Sequence, residues 1–334
     1  MRKQKFSTAL SFAFLTSCFS LFSSAQASAA GEKEVKFRME WIPSGMYAPF
    51  YLAQSKGFYQ AQGIDMKMLN GNGSLAAIDE VNAGHADMGM ASCGVLATAI
   101  SKGREVVSVA QYMGKYSWAF FIPKDSGIKR ISDLAGKSVV MSPNSSEAVL
   151  LPAVMESAGL KPGALRVIAV DPSQKIATYG RGQGDTVITT VAYGAPLVED
   201  ARASDILPWA EVGFVMPDYC MFTRKEFADQ QPDLVKKVVS ATIQGIDEAQ
   251  KNPAEAVDAT MKVNPFIKKE QTTAQWAQTT QFIHSAAAAN CPIGWHVPED
   301  WSAGLETLQM YAGLQGDIKD ASKFYTNRFV PACQ

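Results

Sequence analysis

The sequence predicts an α/β protein of two lobes, each a mostly parallel sheet flanked by helices, joined by a hinge of two chain segments. Three observations carry that expectation. Strand and helix patterns follow one another in β-α-β-α-β order from about residue 35, and the same order restarts near residue 133. The succession helix, glycine, aspartate, strand also occurs twice, at residues 84–90 and 184–190. At 334 residues the chain is longer than one hydrophobic core usually organises.

Taken in order, Val35, Phe37, Met39 and Trp41 alternate with Lys36, Arg38 and Glu40, which marks a first strand with one apolar face. A helix is expected over residues 46–57, then a strand over Ile64–Leu69, a Gly71-Asn72-Gly73-Ser74 turn, a helix ending near Gly84 and a strand over 86–91. The second set opens at Asp133-Leu134-Ala135-Gly136-Lys137. It runs through a strand over 138–141, a helix over 145–158, a strand over 165–170, a helix over 173–180 and a strand over 186–191. The chain is expected to cross between lobes within 112–121 and to return within 212–222, both aromatic and β-prone. Apolar residues at helical spacing over 232–250 put a helix in the C-terminal third. Asn252-Pro253-Ala254-Glu255 then reads as a capping box, with Asn252 as N-cap and Glu255 reaching back. The expected organisation is an export signal over 1–30, a first lobe over 31–115, a second over 116–212, and a return to the first over 213–334 with C-terminal helices.

Residues 1–30 begin with Arg2, Lys3 and Lys5, continue through an apolar run over 6–22 and end in Ala25-Gln26-Ala27-Ser28-Ala29-Ala30. These are the charged region, apolar region and small-residue cleavage site of an export signal. Processing at Ala27, Ala29 or Ala30 would leave a periplasmic protein, away from cytoplasmic nucleotides and nicotinamide cofactors. Leu15-Thr16-Ser17-Cys18 also fits a lipoprotein box, which would place a lipid anchor at Cys18. Arg2, Lys3 and Lys5 are the segment's only charged residues, so its removal takes the formal net charge from −1 to −4. A mildly acidic, mixed surface argues against nucleic acid and anionic membrane as partners.

Cys93, Cys220, Cys291 and Cys333 lack the short paired spacings of a zinc site, so no metal is expected. If a disulfide forms, Cys291 and Cys333 are the expected pair, because a bridge there fastens an end otherwise prone to fray. Gly71-Asn72-Gly73-Ser74-Leu75-Ala76 matches the dinucleotide fingerprint, yet Asp87 begins the next strand instead of ending it, so a helix-capping turn is the better reading and no cofactor is expected. No Gly-x-Ser-x-Gly elbow is present, and His85, His284 and His296 have no fixed carboxylate neighbour. His85 is read as a surface residue and His284 as part of a helix face. Cys93 follows a strand and reads first as a buried inert thiol, second as a nucleophile. Aromatic residues cluster at strand ends, where doubly wound sheets bind ligands: Trp41, Tyr47, Trp118, Tyr193 and Tyr219.

The run Trp41-Ile42-Pro43, Ala48-Pro49-Phe50-Tyr51-Leu52-Ala53, Lys56-Gly57-Phe58-Tyr59 and Gly63-Ile64-Asp65 resembles the opening of the thiamine-biosynthesis-like periplasmic binding proteins of ABC importers. That family includes receptors for pyrimidine thiamine precursors, taurine, alkanesulfonates and nitrate. Ala83-Gly84-His85-Ala86-Asp87, Ile131-Ser132-Asp133-Leu134-Ala135-Gly136-Lys137, Gln231-Pro232-Asp233-Leu234-Val235, Asn252-Pro253-Ala254-Glu255-Ala256 and Tyr325-Thr326-Asn327 extend the likeness along the chain. The resemblance implies a periplasmic binding protein fold whose lobes close on a small-molecule ligand. It also implies a monomer whose partners are an inner-membrane permease and its ATPase.

Carried over residue by residue, the family's pocket implies Trp41, Ser44, Tyr47, Asn72, Ser74, Ser92, Cys93, Trp118, Asn144, Ser145, Ser146 and Tyr193 as ligand-binding positions, beside Tyr219. The Trp-x-Pro opening is most similar to the pyrimidine branch, although Ser44 and Tyr47 stand where that branch commonly carries Asn and His. A related enzyme branch that makes the pyrimidine carries a Cys-Cys-Cys-Phe-Cys run not found in this sequence. The expectation is a receptor without catalysis. Heteroaromatic pyrimidine-like ligands rank ahead of aromatic carboxylates, with organosulfonates third; the alternative class is an exported pyrimidine-related enzyme.

Overall fold

Ten strands form two five-stranded sheets of the same plan in the computed structural model, which describes Met1, 31–143, 145–161 and 163–334. The export-signal and Cys18 expectations fall on residues outside that description. The first sheet contains β1 (Lys33–Arg38), β2 (Ile64–Leu69), β3 (Met88–Ser92), β4 (Val106–Met113) and β10 (Tyr219–Arg224), in the order β2-β1-β3-β10-β4. The second contains β5 (Trp118–Pro123), β6 (Ser138–Met141), β7 (Arg166–Ala169), β8 (Thr186–Thr190) and β9 (Ser204–Pro208), in the order β7-β6-β8-β5-β9. In each, the two pairings around β1 or β6 are parallel, and one strand, β10 or β5, runs antiparallel to both its neighbours. That odd strand is the one entered from the other sheet, so the two crossings account for the antiparallel pairings among these ten strands.

Each crossover carries a helix, as parallel pairing requires. These are α1 (Ala48–Ser55), α2 (Ser74–Asn82) and α3 (Cys93–Ser101) around the first sheet, then α4 (Ser146–Ser157), α5 (Lys175–Gly180) and α6 (Val191–Ala201) around the second. After β10 come α7 (Lys225–Gln230), α8 (Pro232–Lys251), α9 (Pro253–Val263), α10 (Lys269–Thr280) and α11 (Pro298–Tyr311). Leu234, Val235, Val238, Val239 and Ile246 of α8 are buried at helical spacing, which docks this helix on α1. Both sheets and all helices belong to one compact unit, Glu32–Gln334.

The repeated glycine-aspartate signature has a structural job. Asp87 accepts the Lys36 amide at 2.8 Å and Asp185 accepts the Ser138 amide at 2.7 Å, so each aspartate ties the start of one strand to its neighbour. The duplication continues at the opposite strand ends, where Tyr219 pairs with Ser92 and Trp118 with Thr190. The Cys93 amide donates to Asp218 O and the Val191 amide to Ser117 O, both at 2.7 Å.

Two local expectations are corrected. Asn252 is the residue before α9, but it makes no capping bond; its side-chain amide donates to Glu248 Oε1 at 2.9 Å, and Glu255 pairs with Lys56 at 2.5 Å. The Asn252 side chain is taken by the preceding turn and the Glu255 carboxylate by Lys56. His284 lies in a bend after α10, not on a helix face. Cys291 and Cys333 are bonded to each other, and so are Cys93 and Cys220.

Candidate functional site

The chain leaves β1 into a loop whose course is set by two glycines after β2. The Gly71 amide donates to Trp41 O at 3.1 Å and the Gly73 amide to Glu40 O at 2.8 Å. A Cβ on Gly71 would stand 2.0 Å from Met39 O, so no larger residue permits this approach. The dinucleotide-like turn thus serves to hold Glu40 and Trp41 beyond the end of β1. Glu40 is 3% exposed. Its carboxylate accepts from Tyr47 Oη at 3.0 Å, Ser146 Oγ at 3.3 Å and Ser74 Oγ at 3.4 Å. Burial pushes its pKa up to about 7, against the opposing pull of the Tyr47 hydroxyl.

The facing wall comes from the second sheet. Ser145, before α4, and Ser146 and Glu147, in its first turn, follow β6; Lys175 begins α5 after β7; Thr189 and Thr190 end β8, and Tyr193 lies in the first turn of α6. Lys175 Nζ reaches Glu147 Oε1 at 2.7 Å and stands 5.5 Å from the Trp41 ring centre, a cation–π distance. Both side chains are almost wholly buried, and Glu147 Oε2 has no hydrogen-bond partner among the described residues.

Between the walls lies a small, nearly closed cavity. Glu40, Trp41, Met46, Tyr47 and Tyr219 line it from one side, and Trp118, Glu147, Lys175, Thr189, Thr190 and Tyr193 from the other. Trp41 also borders an outer groove with Asn72, Ser142, Pro143, Ser145 and Asp171. The cavity sits beyond the carboxyl ends of strands in both sheets, where helix starts and strand ends converge. Its aromatic walls suit a flat ring, and its polar groups suit hydrogen bonding.

Gln275 of α10 ties the two walls together. Its Oε1 accepts the Gly45 amide at 2.9 Å and its Nε2 donates to Tyr193 O at 2.8 Å. Gly45 is obligatory at that contact, since a Cβ would meet Thr272 O at 2.1 Å. Behind the cavity, Trp209 stacks on Trp118 at 5.7 Å and packs with Tyr116, Phe120 and Phe214, so both crossings share one aromatic cluster.

Of the residues expected from sequence, Trp41, Tyr47, Trp118, Tyr193 and Tyr219 line the cavity. Ser74 and Ser146 meet through a 2.7 Å hydrogen bond beside Glu40. Asn72 and Ser145 border the outer groove. Ser44 and Ser92 are buried with unpaired hydroxyls, the Ser92 amide donating to Ser74 Oγ at 2.9 Å. Asn144 lies outside the described residues. Cys93 is corrected: its sulfur is bonded to Cys220, and the residue borders a different, apolar cleft with Met216 and Leu305, so it offers no free thiol to a ligand. His85 is exposed against Glu80. His296 is buried, bonded to Ser108 and Asn327, and held down at a pKa of about 4 by burial.

Sequence reasoning missed Glu40, Glu147 and Lys175. Charged residues at the edge of an apolar pattern read as solvated, and Glu40 fell on the polar face of the first strand. Their shared signal is position, since each follows the carboxyl end of a strand in a parallel sheet. Among the described residues no cluster of His, Cys, Asp and Glu is suited to a metal ion, and no helix is long and apolar enough to cross a membrane.

Comparison with known proteins places this geometry. The chain is 24% identical to the riboflavin-binding protein RibY of Chloroflexus aurantiacus over 310 residues, covering 90% of this chain and 86% of RibY. It is 22% identical to the 4-amino-5-hydroxymethyl-2-methylpyrimidine phosphate synthase of Legionella pneumophila, covering 90% and 93%. Its fold is similar to that of the alkanesulfonate-binding protein SsuA of Xanthomonas axonopodis, with a TM-score of 0.69 at 15% identity over 89% of this chain and all of SsuA. Residues 45–256 match the NMT1/THI5 like family, and with the two-lobed periplasmic binding protein fold around this cavity the chain belongs to that family.

Proposed function

We propose that the protein is the periplasmic receptor of an ABC importer, capturing a small heteroaromatic ligand between its lobes and passing it unchanged to a membrane permease and its ATPase. The observation that carries this reading is the buried cavity with aromatic walls drawn from both sheets. In this reading residues 31–115 and 213–334 close against 116–212 about the crossings, because a ligand gains both walls only in the closed form. RibY, whose name records a flat heterocycle as ligand, is a relative in keeping with this ligand class.

Charge sets the ranking of ligands. Lys175, the only cation lining the cavity among the described residues, is already paired with Glu147, and Glu40 adds a second buried carboxyl. A multiply charged anion would therefore lose its water without gaining a free counter-charge. Pyrimidine-like heterocycles rank first, aromatic carboxylates second and aliphatic sulfonates third. The likeness to a pyrimidine phosphate synthase keeps a second reading, an exported pyrimidine-related enzyme. Turnover that survives repurification would select it.

The test is calorimetry with one compound of each class against wild type and Trp41→Ala. The receptor reading predicts tightest binding for the heterocycle, weakened in the variant. Tight taurine binding that Trp41→Ala leaves unchanged would reject the aromatic ligand.

A further inference from the structure

The Glu147–Lys175 pair is unusual in what it leaves unmet. An ammonium has three N–H donors, and among the described residues Lys175 Nζ makes one hydrogen bond, to Glu147 Oε1 at 2.7 Å. Glu147 Oε2 makes none, although the residue is 1% exposed. Both residues line the cavity, and the unmet oxygen is itself sealed from bulk solvent. Buried polar atoms without partners are costly and normally find one. A staple between α4 and α5 would need only the bond already made.

We infer that the Glu147–Lys175 pair reads one edge of the ligand, and that this edge carries a hydrogen-bond donor next to an acceptor, as in a lactam or an amino-substituted ring nitrogen. The inference rests on the receptor reading above and names the chemistry that its ligand must show. The ligand N–H donates to Glu147 Oε2, and the neighbouring carbonyl oxygen or ring nitrogen accepts from Lys175 Nζ. Trp41, whose face lies 5.5 Å from the same ammonium, covers the ring. An anion would meet Lys175 but oppose Glu147 and Glu40; a cation would meet the carboxylates but oppose Lys175. A neutral edge with both functions satisfies every group, and an analogue lacking the donor leaves a carboxylate oxygen buried and unpaired.

The experiment is titration calorimetry of the whole protein with uracil and cytosine, which carry the paired edge, with 1,3-dimethyluracil, which lacks the donor, and with benzoate and taurine. Uracil or cytosine is expected to bind at least about tenfold tighter than the other three. Glu147→Gln should cut that preference by about threefold or more. Glu147→Leu/Lys175→Met, which removes both charges together and so leaves neither stranded, should abolish it. Thermal melting confirms that each variant is folded. The inference is overturned by equal binding of 1,3-dimethyluracil, by tightest binding of benzoate or taurine, by no uracil or cytosine binding at millimolar concentration, or by a preference that survives both variants. The receptor reading fails by a different result, a probe chemically altered on recovery.

Discussion

Ser117 and Asp218 occupy equivalent positions in the two halves of the duplicated fold and are hydrogen-bonded to each other, the Ser117 amide donating to Asp218 Oδ2 at 3.0 Å and the Ser117 hydroxyl to the same oxygen. Each residue also accepts, through its carbonyl, the first amide of the helix that follows the neighbouring strand: Val191 for Ser117 and Cys93 for Asp218. The outgoing and returning crossings therefore meet in one buried contact directly behind the cavity. Ser117→Ala removes the hydroxyl donor from a buried carboxyl and should cost about 1–3 kcal/mol of stability, read by urea unfolding. Wild-type stability in this variant would show that the contact does not fasten the crossings.

Glu40 and Asp218 should make the fold weaken as pH rises towards neutrality. Burial lifts both to about 7, from 4.5 and 3.8 respectively, so the folded state holds protons that the unfolded chain has released. Their stabilising contribution is complete below the unfolded values and is lost as pH climbs through about 7. Glu40→Gln should therefore flatten the stability profile between pH 5 and 8 by up to about 3 kcal/mol, with the gain at the alkaline end. His296, depressed to about 4, acts in the other direction, its contribution disappearing as pH falls from 6.5. Urea midpoints across this range check the effect, and an unchanged slope in Glu40→Gln would contradict it.

Trp41→Ala removes a ring that covers both the cavity and its outer groove. Large aromatic anchors of this kind cost about 2 kcal/mol or more when truncated, which is about thirtyfold in affinity. Calorimetry with the best heterocyclic ligand should find that loss, and thermal melting confirms that the variant is folded. A variant that binds as tightly as wild type would remove Trp41 from the site.

Gln275→Ala should weaken ligand binding although Gln275 does not line the cavity. It frees the Gly45 amide beside Tyr47 and the Tyr193 carbonyl on the opposite wall. Small-angle scattering of the ligand-bound variant should give a larger radius of gyration than bound wild type, because a tie between the walls has been cut. Identical profiles would assign Gln275 a purely local role.

Cys291→Ser/Cys333→Ser opens a bridge between residues 42 apart in sequence. Chain entropy sets the expected loss at about 4 kcal/mol, chiefly through a freer unfolded state. Urea unfolding reads the loss, and peptide mapping without reduction identifies the pairing. Free thiols at both positions would remove the bridge from the account.

Much of the architecture was legible because its periodicities are strong. Ile64–Leu69 is a strand with the limits its alternation gives, and α8 follows its apolar stripe from Pro232. The paired glycine-aspartate signals were legible as a repeat, although only the fold shows that Asp87 and Asp185 bind the amides of adjacent strands. Aromatic positions were found by the rule that ligands gather at strand ends. The charged positions were not, because the value of Glu40 or Lys175 depends on partners more than a hundred residues away, Ser146 for one and Trp41 for the other. The capping box at Asn252 failed for the same reason, its second member having been claimed by Lys56.

The most direct measurement is mass spectrometry of the small molecule released by denaturing protein exported and purified without exchange of its native ligand. The expected result is one flat heterocycle in near-stoichiometric amount, recovered unchanged after rebinding to stripped protein. An aliphatic sulfonate, or a heterocycle converted to another compound on rebinding, would contradict it.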